Sequence, residues 1–180
     1  MFPDLRAVAL IASLKEKNAT TIFGAICNEI EKEKIRVLDA RCFMDDQMAD
    51  KGQMVRGDEK VSEEAIEHAI HIAEQVAALN IGQSAVTRKG TVLAVEAFEG
   101  TDQMIARAGQ FDASEKIFVK TEKGKQDYRF DIPIFGVKTL NILLSANVKN
   151  VVLKTDGVII PQKAEVLSRA KEAKVSILGY

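Results

Sequence analysis

The feature that most constrains the fold is the alternation of strand-like and helix-like patterns in the second half of the chain. Short apolar runs at 116–121, 150–154 and 175–178 are separated by longer stretches with helical periodicity. Strands that alternate with helices are typical of α/β proteins with parallel strands. The sequence therefore predicts an α/β fold with a mixed, largely parallel sheet and flanking helices.

Periodicity and turn signals predict the remaining elements. Helices are predicted at 3–14, 18–34, 62–79, 101–109, 137–146 and 161–173. Strands are predicted at 35–39, 84–88, 91–97, 116–121, 150–154, 158–160 and 175–178. Residues 41–61 are mixed and polar and contain two glycines, so we expect irregular structure there.

Composition excludes several classes of protein. The chain has 25 Lys and Arg against 26 Asp and Glu, and the two signs are interleaved, so no basic face is expected to bind nucleic acid. Cys27 and Cys42 have neither a CxxC nor a zinc spacing, which favours reduced thiols in a cytoplasmic protein. No apolar run approaches the ~20 residues that span a bilayer, and the start lacks the pattern of a signal peptide.

An apolar strand, Val92–Val95, runs through Glu96 directly into a helix start with the sequence Glu99-Gly100-Thr101-Asp102. Functional groups at such a junction usually lie at the carboxyl end of the sheet, where ligands bind. Thr101 is well placed to cap the helix, and a helix N-terminus can hold a phosphate. Plain capping by Thr101 and Asp102 is the alternative.

A second polar segment carries Gln126, Arg129 and Asp131 and ends at Pro133 and Gly136. The Asp131 carboxylate could bind Mg²⁺ or activate water, because hard cations prefer oxygen ligands. A surface salt bridge with Arg129 is the alternative. Asp131 and Asp102 together would suit a divalent ion between the protein and a diphosphate, although their spacing leaves open whether they meet.

Weaker signals surround these segments. Gln83 follows a glycine turn, where it could bind a sugar or a phosphate or be a turn residue. Lys120 ends a strand, where it could meet an anion or be solvated. His68 and His71 lie three apart on one helix, which suits half a metal site or a polar helix face, and a third ligand is not evident.

At these residues the sequence resembles the LpxI-type UDP-2,3-diacylglucosamine pyrophosphatases of lipid A biosynthesis. The motifs occur in order at matching spacing: Ile81-Gly82-Gln83, Val92–Glu96, Glu99–Asp102 with Met104, then Gln126, Arg129, Asp131, Pro133 and Gly136, and finally Ile177-Leu178-Gly179. The family usually has a glutamate where this chain has Lys154, so one edge of the expected site departs from the family pattern.

The resemblance implies hydrolysis of UDP-2,3-diacylglucosamine to 2,3-diacylglucosamine 1-phosphate (lipid X) and UMP. Water would attack the phosphorus on the UMP side, assisted by Mg²⁺ or another divalent cation. The essential aspartate of the family falls on Asp131, which would hold the metal together with Asp102. The expected substrate-binding residues are Gln83, Glu99, Gly100, Thr101, Asp102, Lys120 and Arg129.

The resemblance also implies a domain organisation. Residues 1–45 are expected to be a remnant of an N-terminal nucleotide-binding-like α/β domain, 46–61 a linker and 62–180 the C-terminal catalytic domain. The shortened first part leaves an alternative, in which the chain is a non-catalytic lipid-phosphate-binding or assembly module. An acylated substrate implies transient contact with the inner membrane from the cytoplasmic side, and apolar helix stripes make a homo-oligomer plausible.

Overall fold

A computed structural model of the chain describes residues 4–124 and 126–180, apart from the side chain of Ala19. The predicted helix start at Pro3 lies outside these residues. The described chain divides into two compact units. The smaller unit comprises the residues up to Cys42 together with Gln126–Ile132, and the larger unit comprises the other described residues.

Two helices form most of the smaller unit, α1 (Leu5–Ser13) and α2 (Ala19–Lys32). Asn18 caps α2, because its side-chain oxygen accepts the backbone N–H of Thr21. Residues 35–39 are irregular, and within the described chain they join no sheet. The strand predicted there is wrong, because an apolar alternation makes a strand only where another strand lies beside it.

The larger unit contains the remaining elements. Its strands are β1 (Gly52–Val55), β2 (Ser84–Arg88), β3 (Thr91–Val95), β4 (Lys116–Lys120), β5 (Asn150–Leu153) and β6 (Ser176–Gly179). Its α-helices are α3 (Glu63–Ala78), α4 (Thr101–Gly109), α5 (Val137–Ser145) and α6 (Lys163–Glu172), and a short 3-10 helix covers Asp45–Gln47. Among the described residues, no helix combines the length and the apolar character that crossing a bilayer requires.

The six strands form one mixed sheet in the order β1-β6-β5-β4-β2-β3. Pairing is parallel between β4 and β5 and between β5 and β6, and antiparallel elsewhere. The predicted α/β class is confirmed. Parallel pairing is confined to three strands, because β2 and β3 form a hairpin and β1 returns antiparallel along β6.

Both faces of the sheet are buried, with helices α4, α5 and α6 on one face and α3 on the other. Side chains alternate between the faces: Phe118 of β4 packs with the three-helix side, while its neighbours Ile117 and Val119 pack with α3. Full burial of one such side chain stabilises the fold by about 1.5–3 kcal/mol.

Two local predictions fail in the larger unit. The segment expected to be irregular contains β1, which pairs with β6. The strand predicted at 158–160 is reduced to two isolated bridges of Ile159, one to Met48 and one to Ile134. The Ile159 N–H donates to the Pro133 carbonyl and its own carbonyl accepts the N–H of Phe135, so it pairs with a loop rather than with a strand.

The hairpin of β2 and β3 turns at Lys89 and Gly90, which both have positive φ, as a two-residue turn requires. A bulge between Val86 and Thr87 shifts the pairing of the two strands by one residue on the side away from the turn. The backbone N–H of Glu96, just after β3, therefore donates to the carbonyl of Ser84 at 2.9 Å.

Gly82 is expected to tolerate no side chain, because a Cβ there would overlap the backbone carbonyl of Glu96. We predict that Gly82→Ala lowers the free energy of unfolding by about 1–3 kcal/mol, as measured by urea denaturation, since the end of the hairpin must shift. The matched control is Gly124→Ala, where an added Cβ meets no described atom within 4 Å. Equal stability of the two variants would contradict the prediction.

Candidate functional site

A chain of polar contacts lies at the carboxyl end of β4. Lys120, the last residue of β4, is only 6% exposed. Its Nζ donates to Thr101 Oγ1 at 2.9 Å, and Thr101 Oγ1 in turn donates to Glu96 Oε1 at 2.8 Å. Thr101 is the first residue of α4, so these two hydrogen bonds join the end of β4, the residue after β3 and the start of a helix.

The other oxygen of Glu96 completes the network. Glu96 Oε2 accepts the Ser84 hydroxyl at 2.6 Å and the backbone N–H of Gln83 at 3.2 Å. Ser84 is fully buried. The carboxylate thus receives three donors, and hydrogen bonds to an ionised group are about twice as strong as those between neutral groups.

The starts of α4 and α5 line one open cleft of about 540 Å³. The N-caps are Gly100 and Gly136, and within the described chain neither helix has a side-chain cap. Gly100 has a φ of 82°, whereas Gly136 is extended. Since no capping side chain occupies the first N–H groups, both helix starts present their positive dipole ends to this cleft.

Charged side chains surround the cleft in pairs. Lys138 Nζ lies 2.6 Å from Asp102 Oδ2, and this ion pair links α5 to α4. Glu99 pairs with Arg107, whose hydrogen bond holds the pKa of the Glu99 carboxyl below its usual value. The acidic side chains at this cleft are therefore engaged by cations.

The cleft residues do not by themselves fit a metal ion. Mg²⁺ is usually bound through one or two carboxylates together with substrate phosphates, but Asp102 is paired with Lys138 and Glu99 with Arg107. Across the described residues, no group of three or more His, Cys, Asp or Glu side chains is placed to hold a metal. Asp131 belongs to the smaller unit, so a divalent ion shared by Asp131 and Asp102 stays a prediction.

Arg129, also in the smaller unit, is held by neighbouring carboxylates. Its guanidinium donates to both carboxylate oxygens of Asp127, to Oε2 of Glu31 at 3.0 Å and to the side-chain oxygen of Asn28. The hydrogen bonds from Arg129 hold the pKa of Asp127 below its usual value. Arg129 therefore forms ion pairs with Asp127 and with Glu31.

Lys154 follows β5 at the same edge of the sheet as Lys120. Its Nζ lies 3.4 Å from Glu74 Oε1 and 4.6 Å from the centre of the Tyr180 ring. Burial raises the pKa of Tyr180, whose hydroxyl donates to Thr121 at 2.9 Å. At this edge of the sheet, the Lys154 ammonium is therefore held by contacts within the protein.

Comparison with known proteins identifies the family. The chain matches the LpxI C-terminal domain over residues 50–178 and the LpxI N-terminal domain over residues 1–47. The chain belongs to the LpxI family. A curated relative, UDP-2,3-diacylglucosamine pyrophosphatase LpxI from Caulobacter vibrioides, is 27% identical over 191 residues, which cover 99% of this chain and 68% of that protein.

The structure brings together part of the predicted LpxI site. Gln83, Thr101 and Lys120 lie in one hydrogen-bond network, and Glu99–Asp102 line the cleft. The predicted capping by Thr101 is wrong: Gly100 is the N-cap, and the Thr101 hydroxyl bonds to Glu96 instead. Asp131 and Arg129 belong to the other unit.

Sequence reasoning gave no role to Ser84 and Glu96, which join the network. Both side chains are polar and stand at the open end of the hairpin, beside the apolar residues Ala85 and Val95. That position was a usable signal, because polar groups at strand ends at the ligand-binding edge of an α/β sheet are candidates for a site.

The two cap glycines of this LpxI chain are expected to differ in their tolerance of a side chain. A Cβ meets no described atom within 4 Å at either residue, but only Gly100 has positive φ. We predict that Gly100→Ala lowers the free energy of unfolding by about 1–2 kcal/mol, while Gly136→Ala changes it by less than about 0.5 kcal/mol. Urea denaturation of both variants measures this difference, and equal losses would refute the backbone argument.

Proposed function

We propose that the chain hydrolyses UDP-2,3-diacylglucosamine to 2,3-diacylglucosamine 1-phosphate and UMP in lipid A biosynthesis. Family membership supports the proposal, since the Caulobacter vibrioides relative is named for the pyrophosphatase activity. Two observations from the larger unit add support, the cleft and the hydrogen-bond network at its wall.

The observation that carries the proposal is the opening of two helix starts onto one cleft. Helix N-termini bind phosphate groups through free backbone N–H groups and the positive end of the dipole. Two of them in one cleft, with the Lys120 ammonium bonded to the cleft residue Thr101, suit two adjacent phosphates. A diphosphate linkage carries two adjacent phosphates, whose negative charge helix N-termini attract.

In the proposed reaction, water attacks the phosphorus nearest the uridine. A new P–O bond forms to that water, the P–O–P bridge breaks, and the lipid phosphate leaves. The backbone N–H groups at the starts of α4 and α5, together with the positive charge of Lys120, would offset negative charge on the phosphoryl oxygens, which is the main task in phosphoryl transfer. Asp131 is proposed as the catalytic carboxylate, which takes the proton of the attacking water.

A substrate with two acyl chains resides at a membrane surface, so the proposal includes transient contact of the protein with the inner membrane from the cytoplasmic side. Self-association through the apolar faces of α1 and α2 is a further prediction, because Leu5 is 89% exposed, Phe23 50% and Val8 48%.

Asp131 is expected to be essential for turnover. We predict that Asp131→Asn lowers the rate of UMP release from UDP-2,3-diacylglucosamine by at least about 100-fold while leaving the thermal unfolding temperature nearly unchanged, because loss of a general base costs roughly 10²–10⁴ in rate. The matched control is Asp45→Asn, which changes an exposed carboxylate of the 3-10 helix. Full activity of Asp131→Asn would refute the assignment.

The requirement for a divalent cation is tested with the same assay of UMP release. The family resemblance predicts that UMP release stops in EDTA and returns when Mg²⁺ is added in excess, because a cation neutralises charge on the transferred phosphoryl group. Undiminished release in EDTA would contradict the metal requirement. A folded chain that releases no UMP under any of these conditions would contradict hydrolysis and favour the non-catalytic binding module.

A further inference from the structure

We infer that Glu96 is a positioning residue, which fixes the Thr101 hydroxyl so that Thr101 holds the ammonium of Lys120 against the anion cleft. This inference rests on the proposed function for the identity of the anion as a diphosphate. It assigns roles to two groups, Glu96 and the Thr101 hydroxyl, neither of which needs to contact the ligand.

The direction of each hydrogen bond follows from the groups involved. A lysine ammonium can only donate, and an ionised carboxylate can only accept. Thr101 Oγ1 lies 2.9 Å from Lys120 Nζ and 2.8 Å from Glu96 Oε1. The hydroxyl therefore accepts from Lys120 and donates its single proton to Glu96.

This direction decides what Thr101 can offer to a ligand. Its only hydroxyl proton is used by Glu96, so the Thr101 side chain has no donor left for a phosphate oxygen. Recognition of the anion at the start of α4 therefore falls to backbone N–H groups and to the charge of Lys120. Thr101 acts through Lys120, and Glu96 acts through Thr101.

Burial strengthens the hydrogen bonds of this network. Lys120 is 6% exposed and Ser84 is fully buried, so little water reaches either end of the network. In such surroundings a hydrogen bond is electrostatically stronger than in water, and an unpaired polar group is correspondingly costly. Ser84 and the Gln83 N–H occupy Oε2 of Glu96, which leaves Oε1 for Thr101.

The test compares two isosteric removals of a threonine hydroxyl. Thr101→Val removes the group that links Glu96 to Lys120. Thr87→Val is the matched control, because Thr87 is also buried but its hydroxyl has no hydrogen-bond partner in the described chain. Binding of inorganic pyrophosphate by isothermal titration calorimetry and release of UMP from UDP-2,3-diacylglucosamine are measured for both variants.

We expect Thr101→Val to weaken pyrophosphate binding about 10- to 100-fold, the range that corresponds to one hydrogen bond with a charged group. Thr87→Val is expected to bind like the wild type. Thr101→Ser, which keeps the hydroxyl, is expected to restore binding to within about threefold of the wild type, a rescue that a purely structural need for the threonine methyl group would not produce.

Glu96→Gln provides the second variant. The hydroxyls of Ser84 and Thr101 bond to different oxygens of Glu96, and the amide nitrogen that replaces one of these oxygens cannot accept a hydrogen bond. The two hydroxyls can therefore no longer both donate to this side chain from their present positions. We expect weaker pyrophosphate binding in the same range, in a protein whose circular dichroism spectrum matches the wild type.

The inference would be overturned by wild-type affinity for pyrophosphate in folded Thr101→Val and Glu96→Gln, or by no pyrophosphate binding in the folded wild type. Failure of the proposed function looks different. If the wild type releases no UMP but binds pyrophosphate with the expected order of variants, the positioning role stands and the hydrolysis falls. If the wild type and both variants release UMP equally well, the hydrolysis stands and the positioning role falls.

Discussion

The organisation of the larger unit depends on the complete burial of β4, including the lysine at each of its ends. Lys116 is 1% exposed, and its Nζ donates to the carbonyl of Ala146, the C-cap of α5, at 3.0 Å. Lys120 donates to Thr101 at the start of α4. Burial of an ammonium group without acceptors costs several kcal/mol, and burial does lower the pKa of Lys116. The two lysines therefore tie the end of one helix and the start of another to the central strand.

The part of the fold that depends on local chemistry could be predicted from the sequence. Ser62 begins α3 with its side chain on the N–H of Ala65, and the acidic residues Glu63 and Glu64 occupy the first turn. The β2–β3 hairpin was recognisable from Lys89 and Gly90 between two apolar runs. Caps and two-residue turns involve neighbours in sequence, so the residues that form them can be read together.

The part that depends on distant neighbours could not be predicted. β1 became a strand because β6 lies beside it, and residues 35–39 did not because the described chain places no strand beside them. The cap of α4 illustrates the same limit at the site. Thr101 has the chemistry of a cap, but its hydroxyl bonds to Glu96, and Gly100 takes the cap position with a backbone that glycine adopts readily.

The bulge between Val86 and Thr87 determines which face of the sheet the residues at the open end of the hairpin occupy, and so it affects the site. Side chains on a strand point alternately to the two faces of the sheet. Without the extra residue that the bulge absorbs, Ser84 would stand opposite Val95, and the Glu96 side chain would face α3 rather than α4. A single insertion or deletion in β3 between the bulge and Glu96 would consequently turn the Glu96 side chain to the opposite face of the sheet, away from Ser84 and Thr101.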